Sequence, residues 1–207
     1  MIRLLGTIPR KVTVACSGGP DSMAILSFLT ANGRRDIDVA YFNHGTKFGI
    51  EAESFMRRYC LAHNLTLKTG MISTIDRGDK STEEHWRDER ACFLESIPGP
   101  VVTGHNLNDA MEWYLFSTLH GHSKVIPYRR NNIIRPFLTT DKAVLIDWCR
   151  RKETPFLVDP GNKDEKYMRS IIRHNIMPHA ERVNPGFAKV MKKKIIEDYN
   201  VNYANSF

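Results

Sequence analysis

A glycine-rich turn is the first place in this sequence where residue types and spacing suggest chemistry. Ser17-Gly18-Gly19-Pro20-Asp21-Ser22 follows the apolar run KVTVAC and precedes a helical pattern. Two glycines let the backbone approach an anion closely, and successive N–H groups there can form a nest. The start of the helix adds its positive dipole, and the Ser17 and Ser22 hydroxyls offer further donors. Asp21 is a carboxylate beside that anion site. Next to phosphates its natural role is to hold Mg2+, since two anions tolerate each other only through a cation. An ordinary capped turn uses the same residue types, but the full string after a buried strand favours the anion site. Neither GxxxxGK[ST] nor GxGxxG occurs, so the turn is not a Walker loop and a dinucleotide cofactor is not indicated.

Further candidates stand where strands should end and helices begin. His105 and Asp109 lie four residues apart entering a helical pattern, so they share one face. Beside an anion site they suit a Mg2+ ligand or a group that takes a proton from an attacking amine. A helix-capping aspartate with a satisfied histidine has the same spacing. Glu112, one turn further, could hold a substrate ammonium group or simply be solvated. Arg87 and Arg90 carry planar forks that suit phosphate or carboxylate, or they pair with Asp88 and Glu83 on an exposed helix. His44 closes a strand pattern, a position that favours the nucleotide site. Arg169 and Arg173 share a helix face and fit phosphate or carboxylate contacts. The Lys192–Lys194 run reads as a solvated face.

The elements that must hold these residues alternate through the first half. Strand patterns cover Lys11–Cys16, Ile37–Asn43, Leu65–Ile72 and Pro100–Gly104; helical patterns follow the glycine turn as far as Asn32-Gly33 and cover Glu51–His63, Thr82–Ser96 and Asn108–Leu119. Repeated strand–helix units imply an α/β fold with a parallel sheet covered by helices on both faces. Ligands of such sheets bind at the carboxyl ends of the strands, beside the switch point. Residues 122–138 read as loop with a short strand at Asn132–Ile134. Helices are expected over Lys142–Lys152 and Asp164–Met177, with a turn at Pro160–Lys163 and a last helix from Asn184-Pro185. The expected division is a core over 1–138 and a helical extension over 139–207.

Composition sets outer bounds. The 207 residues are 42% hydrophobic and 26% charged, ordinary for a globular chain. No apolar run approaches a membrane span and no secretory signal opens the sequence, so a cytoplasmic protein without a membrane partner is expected. Four dispersed cysteines form no CxxC pair, which suggests neither a disulfide framework nor a zinc site. The net charge of +7 favours a polyanionic partner, and the excess gathers at Arg129-Arg130, Arg150-Arg151-Lys152, Arg169, Arg173 and Lys192–Lys194.

The glycine turn resembles the SGGxDS loop of the N-type ATP pyrophosphatases, and the other motifs are similar, in order, to those of the tRNA(Ile)-lysidine synthases. Asn43-His44-Gly45 resembles their NHGLR segment, and the helix around Arg87 and Arg90 resembles AREARY. Gly104–Glu112 is similar to AHHxDDQAET, Arg135-Pro136-Phe137-Leu138 to RPLL, and Asp159–Pro178 to DxSNxxxxYxRNxIRxxxLP. The resemblance implies ATP and Mg2+ over Ser17–Ser22, adenylation of the wobble cytidine at C2 in an isoleucine tRNA with a CAU anticodon, and displacement of AMP by free lysine. It implies metal, proton and lysine handling by Asp21, Asp109, His105 and Glu112. It implies substrate or tRNA contacts for Arg87, Arg90, Arg135, Arg169 and Arg173. Trp86, Trp113 and Tyr114 are the aromatics offered for stacking an unpaired base. The chain departs from the pattern at Asn108, Met111, Trp113, His120 and Ser170, and it ends where such proteins usually continue into C-terminal domains that help hold tRNA.

Overall fold

The computed structural model describes residues 1–31, 33–73, 78–163 and 168–204. Strand β1 (Lys11–Ala15) leads through the glycine turn to α1 (Pro20–Thr30), β2 (Asp36–Asn43) and α2 (Lys47–Ala62). Next come β3 (Thr66–Met71), α3 (Thr82–Ser96), the two-residue β4 (Val101–Val102) and α4 (Leu107–Leu119). A hairpin of β5 (Arg129–Arg130) and β6 (Ile133–Ile134) precedes α5 (Lys142–Arg151). Beyond the 3-10 turn Pro160–Lys163 lie α6 (Met168–Ile171), a π-helical segment Ile172–Ile176, α7 (Met177–Val183) and α8 (Phe187–Asn202).

The six strands form one sheet in the order β3-β2-β1-β4-β6-β5, with every pairing parallel except β5 with β6. Chain order therefore reverses between β1 and β4, and their carboxyl ends open the crevice expected of an α/β sheet. Alternation along the strands divides the apolar residues. Val12, Val14, Val39, Tyr41 and Val102 face the larger core with α1, α2, α4, α5 and α8. Ala40, Val101 and Ile133 face the other way, against Phe93, Leu94 and Ile97 at the end of α3. Full burial of each large side chain contributes roughly 1.5–3 kcal/mol, so both faces hold their helices. Helix α3 approaches closely because Gly70 has no side chain: a Cβ there would lie 2.5 Å from the Phe93 ring.

Residues past 138 are not a separate layer. Trp148 of α5 meets Phe28 edge-on at 5.2 Å and donates from Nε1 to Ser27 Oγ of α1 at 3.1 Å. Met191 and Ile195 of α8 enter the larger core. Cys16, Cys60 and Cys149 are buried free thiols and Cys92 is exposed. Among the described residues no helix is long and apolar enough to cross a membrane.

Several boundaries differ from the sequence reading. Helix α2 begins at Lys47 rather than Glu51 because the Thr46 hydroxyl accepts from Gly49 N at 2.9 Å, a cap that carries the helix through a glycine. The supposed loop over 122–138 contains β5 as well as β6, joined through Asn131 at φ +53°. The expected helix over Asp164–Met177 is described from Met168 and changes to π geometry at Ile172; its residues 164–167 lie outside the described residues, as does Asn32 at the end of α1.

Candidate active site

The glycine turn leaves β1 at its carboxyl end and starts α1 with its N–H groups uncovered. Gly19 is the N-cap and offers no side chain, and Pro20 occupies the first turn. Gly18 takes φ +81°, a left-handed conformation that turns the chain sharply. Ser22 Oγ braces the turn, donating to Gly19 O at 3.0 Å and accepting from Ser17 N at 3.2 Å. Ser17 remains exposed. Leu157 N donates to Gly18 O at 2.9 Å, which ties the segment after α5 to the same turn.

Asp21 points from the first turn of α1 toward α5. Its Oδ2 lies 3.3 Å from Lys142 Nζ, while its Oδ1 is buried with no hydrogen-bond partner. Burial raises the Asp21 pKa, Lys142 opposes that rise, and the nearby Asp109 carboxylate adds to it. A partly buried carboxylate with one buried, empty oxygen, close to a second carboxylate, is chemically suited to a hard cation. Among the described residues no three His, Cys, Asp or Glu side chains gather into a metal cage. Such a donor set fits Mg2+, which takes one or two carboxylates together with phosphate oxygens and waters.

Helix α4 delivers the second group. Asn106 and Asp109 form a capping box: Asn106 Oδ1 accepts from Asn108 N at 2.9 Å and Asp109 N at 3.3 Å, and Asp109 Oδ2 accepts from Asn106 N at 3.0 Å. Only Oδ1 of Asp109 is left toward the cleft, where Arg169 Nη2 stands at 3.6 Å and Arg173 Nη2 at 3.9 Å. Glu112 is buried, not solvated. Arg173 donates to it from Nε to Oε1 at 2.6 Å and from Nη2 to Oε2 at 2.9 Å, and Arg169 Nη2 lies 3.6 Å away. Asn108, a departure from the resembled pattern, accepts from Lys142 N at 3.0 Å and so covers the first turn of α5.

His105 shares a 2.8 Å hydrogen bond between Nδ1 and Thr103 Oγ1. Burial pushes its pKa down to about 3; Asp109 opposes this, and Arg135, Arg90 and Arg169 add to it. The ring is neutral near pH 7, suited to hydrogen bonding and a weak proton acceptor. His44, past the end of β2, lies between Phe42 and Trp86 at ring distances of 5.1 and 5.2 Å. Its Nδ1 is buried and unpartnered, and burial followed by the Arg90 charge lowers its pKa to about 4.

Asp21, His105, Asp109, Glu112, Arg169 and Arg173 thus converge on the crevice between β1 and β4, with Arg90 and Arg135 near enough to act on His105. Arg135 donates from Nη1 to Pro127 O at 2.8 Å. Arg87 is not brought in: it lies on the outer side of α3 at 3.6 Å from Glu84 and 3.5 Å from Asp88. Sequence reasoning missed Lys142, which has no motif of its own and reaches Asp21 only through the packing of α5 on α1. It also missed Asn106, whose capping role was signalled by the acidic residue three positions later.

Residues 5–180 match the family model of the PP-loop domain. The chain is similar to the tRNA(Ile)-lysidine synthase of Thermosipho africanus, with 32% identity over 201 residues that make up 87% of this chain and 46% of that protein. The tRNA(Ile)-lysidine synthase of Persephonella marina is 30% identical over 193 residues, 84% of this chain and 42% of that protein. The chain therefore spans less than half the length of these relatives. Among solved structures, the U34-tRNA thiolase NcsA from Methanococcus maripaludis superposes with a TM-score of 0.74 at 15% identity, covering 92% of this chain and 74% of that one. The NH3-dependent NAD synthetase from Campylobacter jejuni gives 0.53 at 14% identity, covering 96% and 90%. At such identities the likeness is one of fold.

Proposed function

Since the chain belongs to the PP-loop domain family, we propose that it is an ATP-dependent ligase that adenylates a tRNA cytidine and joins an amine to the activated carbon. The favoured substrate is the wobble cytidine of an isoleucine tRNA with a CAU anticodon, and the favoured amine is free lysine, in keeping with the named relatives. The C2 oxygen attacks the α-phosphorus of ATP and pyrophosphate leaves. The ε-amine of lysine then attacks C2, AMP leaves, and the amine gives up a proton.

The observation that supports this most is the meeting of an uncovered helix start with a mixed cluster of carboxylates and guanidiniums across one crevice. The N–H groups at the start of α1, which no side chain caps, cradle the pyrophosphate portion of ATP together with the glycine turn Ser17–Ser22. Asp21, and Asp109 through Oδ1, would hold Mg2+, which would supply charge screening for the phosphates. Two carboxylates (Asp109 and Glu112) facing two guanidiniums (Arg169 and Arg173) match an amino-acid zwitterion, whose ammonium and carboxylate can insert into the same pattern. Neutral His105 accepts a hydrogen bond from the attacking amine. His44 lines the nucleotide side, while Arg90 and Arg135, with Arg87 outside them, contact tRNA phosphate. Residues 1–138 act as the ATP-binding core and 139–207 as its helical extension.

The test is incubation with ATP, Mg2+, isotope-labelled lysine and unmodified CAU isoleucine tRNA, followed by nucleoside mass spectrometry, with Asp21→Ala as control. A lysine mass added to one cytidine, absent with the control, is the expected result. Pyrophosphate without that product redirects the search to other amines and RNAs. Neither product nor pyrophosphate overturns the enzyme reading in favour of a tRNA-binding role.

A further inference from the structure

Helix α4 continues past Asp109 with an aromatic row that neither the capping box nor the acid–arginine cluster uses. Trp113, Phe116 and His120 follow Asp109 at helical spacing, and at 3.6 residues per turn all four lie within roughly 60° of arc. The rings are in register: Trp113 stacks on Phe116 at 5.7 Å and 27°, and Phe116 faces His120 at 4.3 Å and 33°. His120 is exposed, and its Nδ1 is 2.8 Å from Phe116 O, a contact that holds the imidazole over the phenyl ring. Phe116 belongs to neither apolar core cluster and is only half-buried.

Cations flank the row on both sides. Roughly 70° one way is Glu112 with Arg173 and Arg169; roughly 130° the other way Lys194 lies over the Tyr114 ring at 5.5 Å. The chain after α4 folds back, with His122 N donating to Ser117 O at 2.8 Å and Lys124 N to Ser117 Oγ at 2.9 Å, which sets exposed His122 and Lys124 beside the last turn. Glu112 is the only acid between residues 110 and 124, and it is engaged by Arg173. The acids of the groove beyond, Glu197 and Asp198, lie on α8 with Lys194. Flat rings leading away from a reaction site, bordered by positive charge, are the arrangement that binds single-stranded nucleic acid, with bases stacked and phosphates alongside.

We propose that the Trp113–Phe116–His120 row is a stacking platform for an unpaired RNA base next to the one that enters the crevice. This rests on the RNA-substrate reading above and adds where the neighbouring nucleotide goes. Seven residues of helix span about 10 Å from Trp113 to His120, room for one or two bases.

The test uses the whole chain and a fluorescein-labelled RNA hairpin with a CAU loop, read by anisotropy at fixed low salt, with a fully paired RNA duplex of equal charge as the second probe. Phe116→Ala and the exposed His120→Ala are compared with wild type after each is shown to keep the wild-type melting transition. The expected result is an affinity loss of about 5- to 100-fold for the hairpin, little change for the duplex, and recovery with Phe116→Tyr. A 2-aminopurine beside the target cytidine should be quenched by wild type and less so by Phe116→Ala. Unchanged hairpin affinity in both alanine variants overturns the platform, as does equal loss for hairpin and duplex, or absence of wild-type hairpin binding. A change in sedimentation with intact hairpin affinity assigns the row to contacts between copies of this chain instead. Loop stacking without any modified nucleoside would leave the platform standing and remove the lysine reading.

Discussion

Arg173 holds Glu112 through two parallel hydrogen bonds of 2.6 and 2.9 Å, and the carboxylate so held is almost wholly out of solvent. The arrangement joins α4 to the π-helical segment across the crevice. Hydrogen bonding to Glu112 also raises the Arg173 pKa, so the guanidinium keeps its charge under any working condition.

Removing one partner should therefore cost more than removing both. Arg173→Met leaves a buried carboxylate with only the looser Arg169 contact and should destabilise the fold by about 1–3 kcal/mol, below the roughly 3–5 kcal/mol of a fully buried broken pair because Arg173 is partly exposed. Glu112→Met with Arg173→Met should regain much of that loss without regaining activity. Urea denaturation of the two single variants and the double variant measures the coupling.

Asp21→Asn should separate stability from activity. The Asp21 pKa is raised in the folded protein, chiefly by burial. Its stabilising contribution is thus full below the ordinary carboxylate pKa and is lost as pH rises through the folded value. Relative to wild type, the asparagine variant should gain stability between about pH 4 and pH 7. Pyrophosphate release should fall by at least about 100-fold. Melting temperatures measured in a chelator across that pH range, beside the activity assay, check both halves.

The two glycines of the turn should respond differently to alanine. Gly18→Ala places a side chain at φ +81° and 3.4 Å from Phe55, which should destabilise by about 1–2 kcal/mol. Gly19 has an ordinary φ of −77°, and a Cβ there meets only Ser17 Oγ at 3.4 Å. Gly19→Ala should melt like wild type yet lose ATP affinity, because the methyl group enters the phosphate cradle. Calorimetry of unfolding and of ATP binding tells the two apart.

Acid should unfold the protein through its histidines before its carboxylates. His105 and His44 have pKa values lowered from 6.5 to about 3 and about 4. The folded state holds both rings neutral, so the stability they contribute is full above about 6.5 and drains as pH falls toward those lower values. His105→Gln with His44→Gln should flatten the stability profile between about pH 6 and 4. Denaturation midpoints across that interval are the measurement.

The alternation of strand and helix patterns was readable because each parallel strand ends in a turn with its own chemistry, and Ser17–Ser22 is the strongest of these. Thr82–Ser96 was placed to the residue because Ser81 caps its start. The start of α2 was hidden because Gly49 interrupts the helical pattern and only the Thr46 cap outweighs it. Strand β5 was hidden because two arginines on an exposed edge carry no apolar signal. In the site, Asp109 and Arg173 could be placed by spacing, but the hold of Arg173 on Glu112 spans 61 positions in sequence and the Lys142–Asp21 contact spans more than a hundred. Such contacts arise from packing. Arg87 illustrates the converse: a motif position whose side chain the helix turns toward Glu84 and Asp88.

The wide turn at Ile172–Ile176, closed by Met177 N on Ile172 O, fits one surplus residue into an otherwise continuous helix. Up to its second residue, rotation about the axis is fixed by where Arg169 and Arg173 must reach; downstream, by the pocket that takes buried Met177. A regular helix would give both ends a single phase. The surplus residue uncouples them, so the arginine end can be tuned to its ligand while the methionine end stays locked in place.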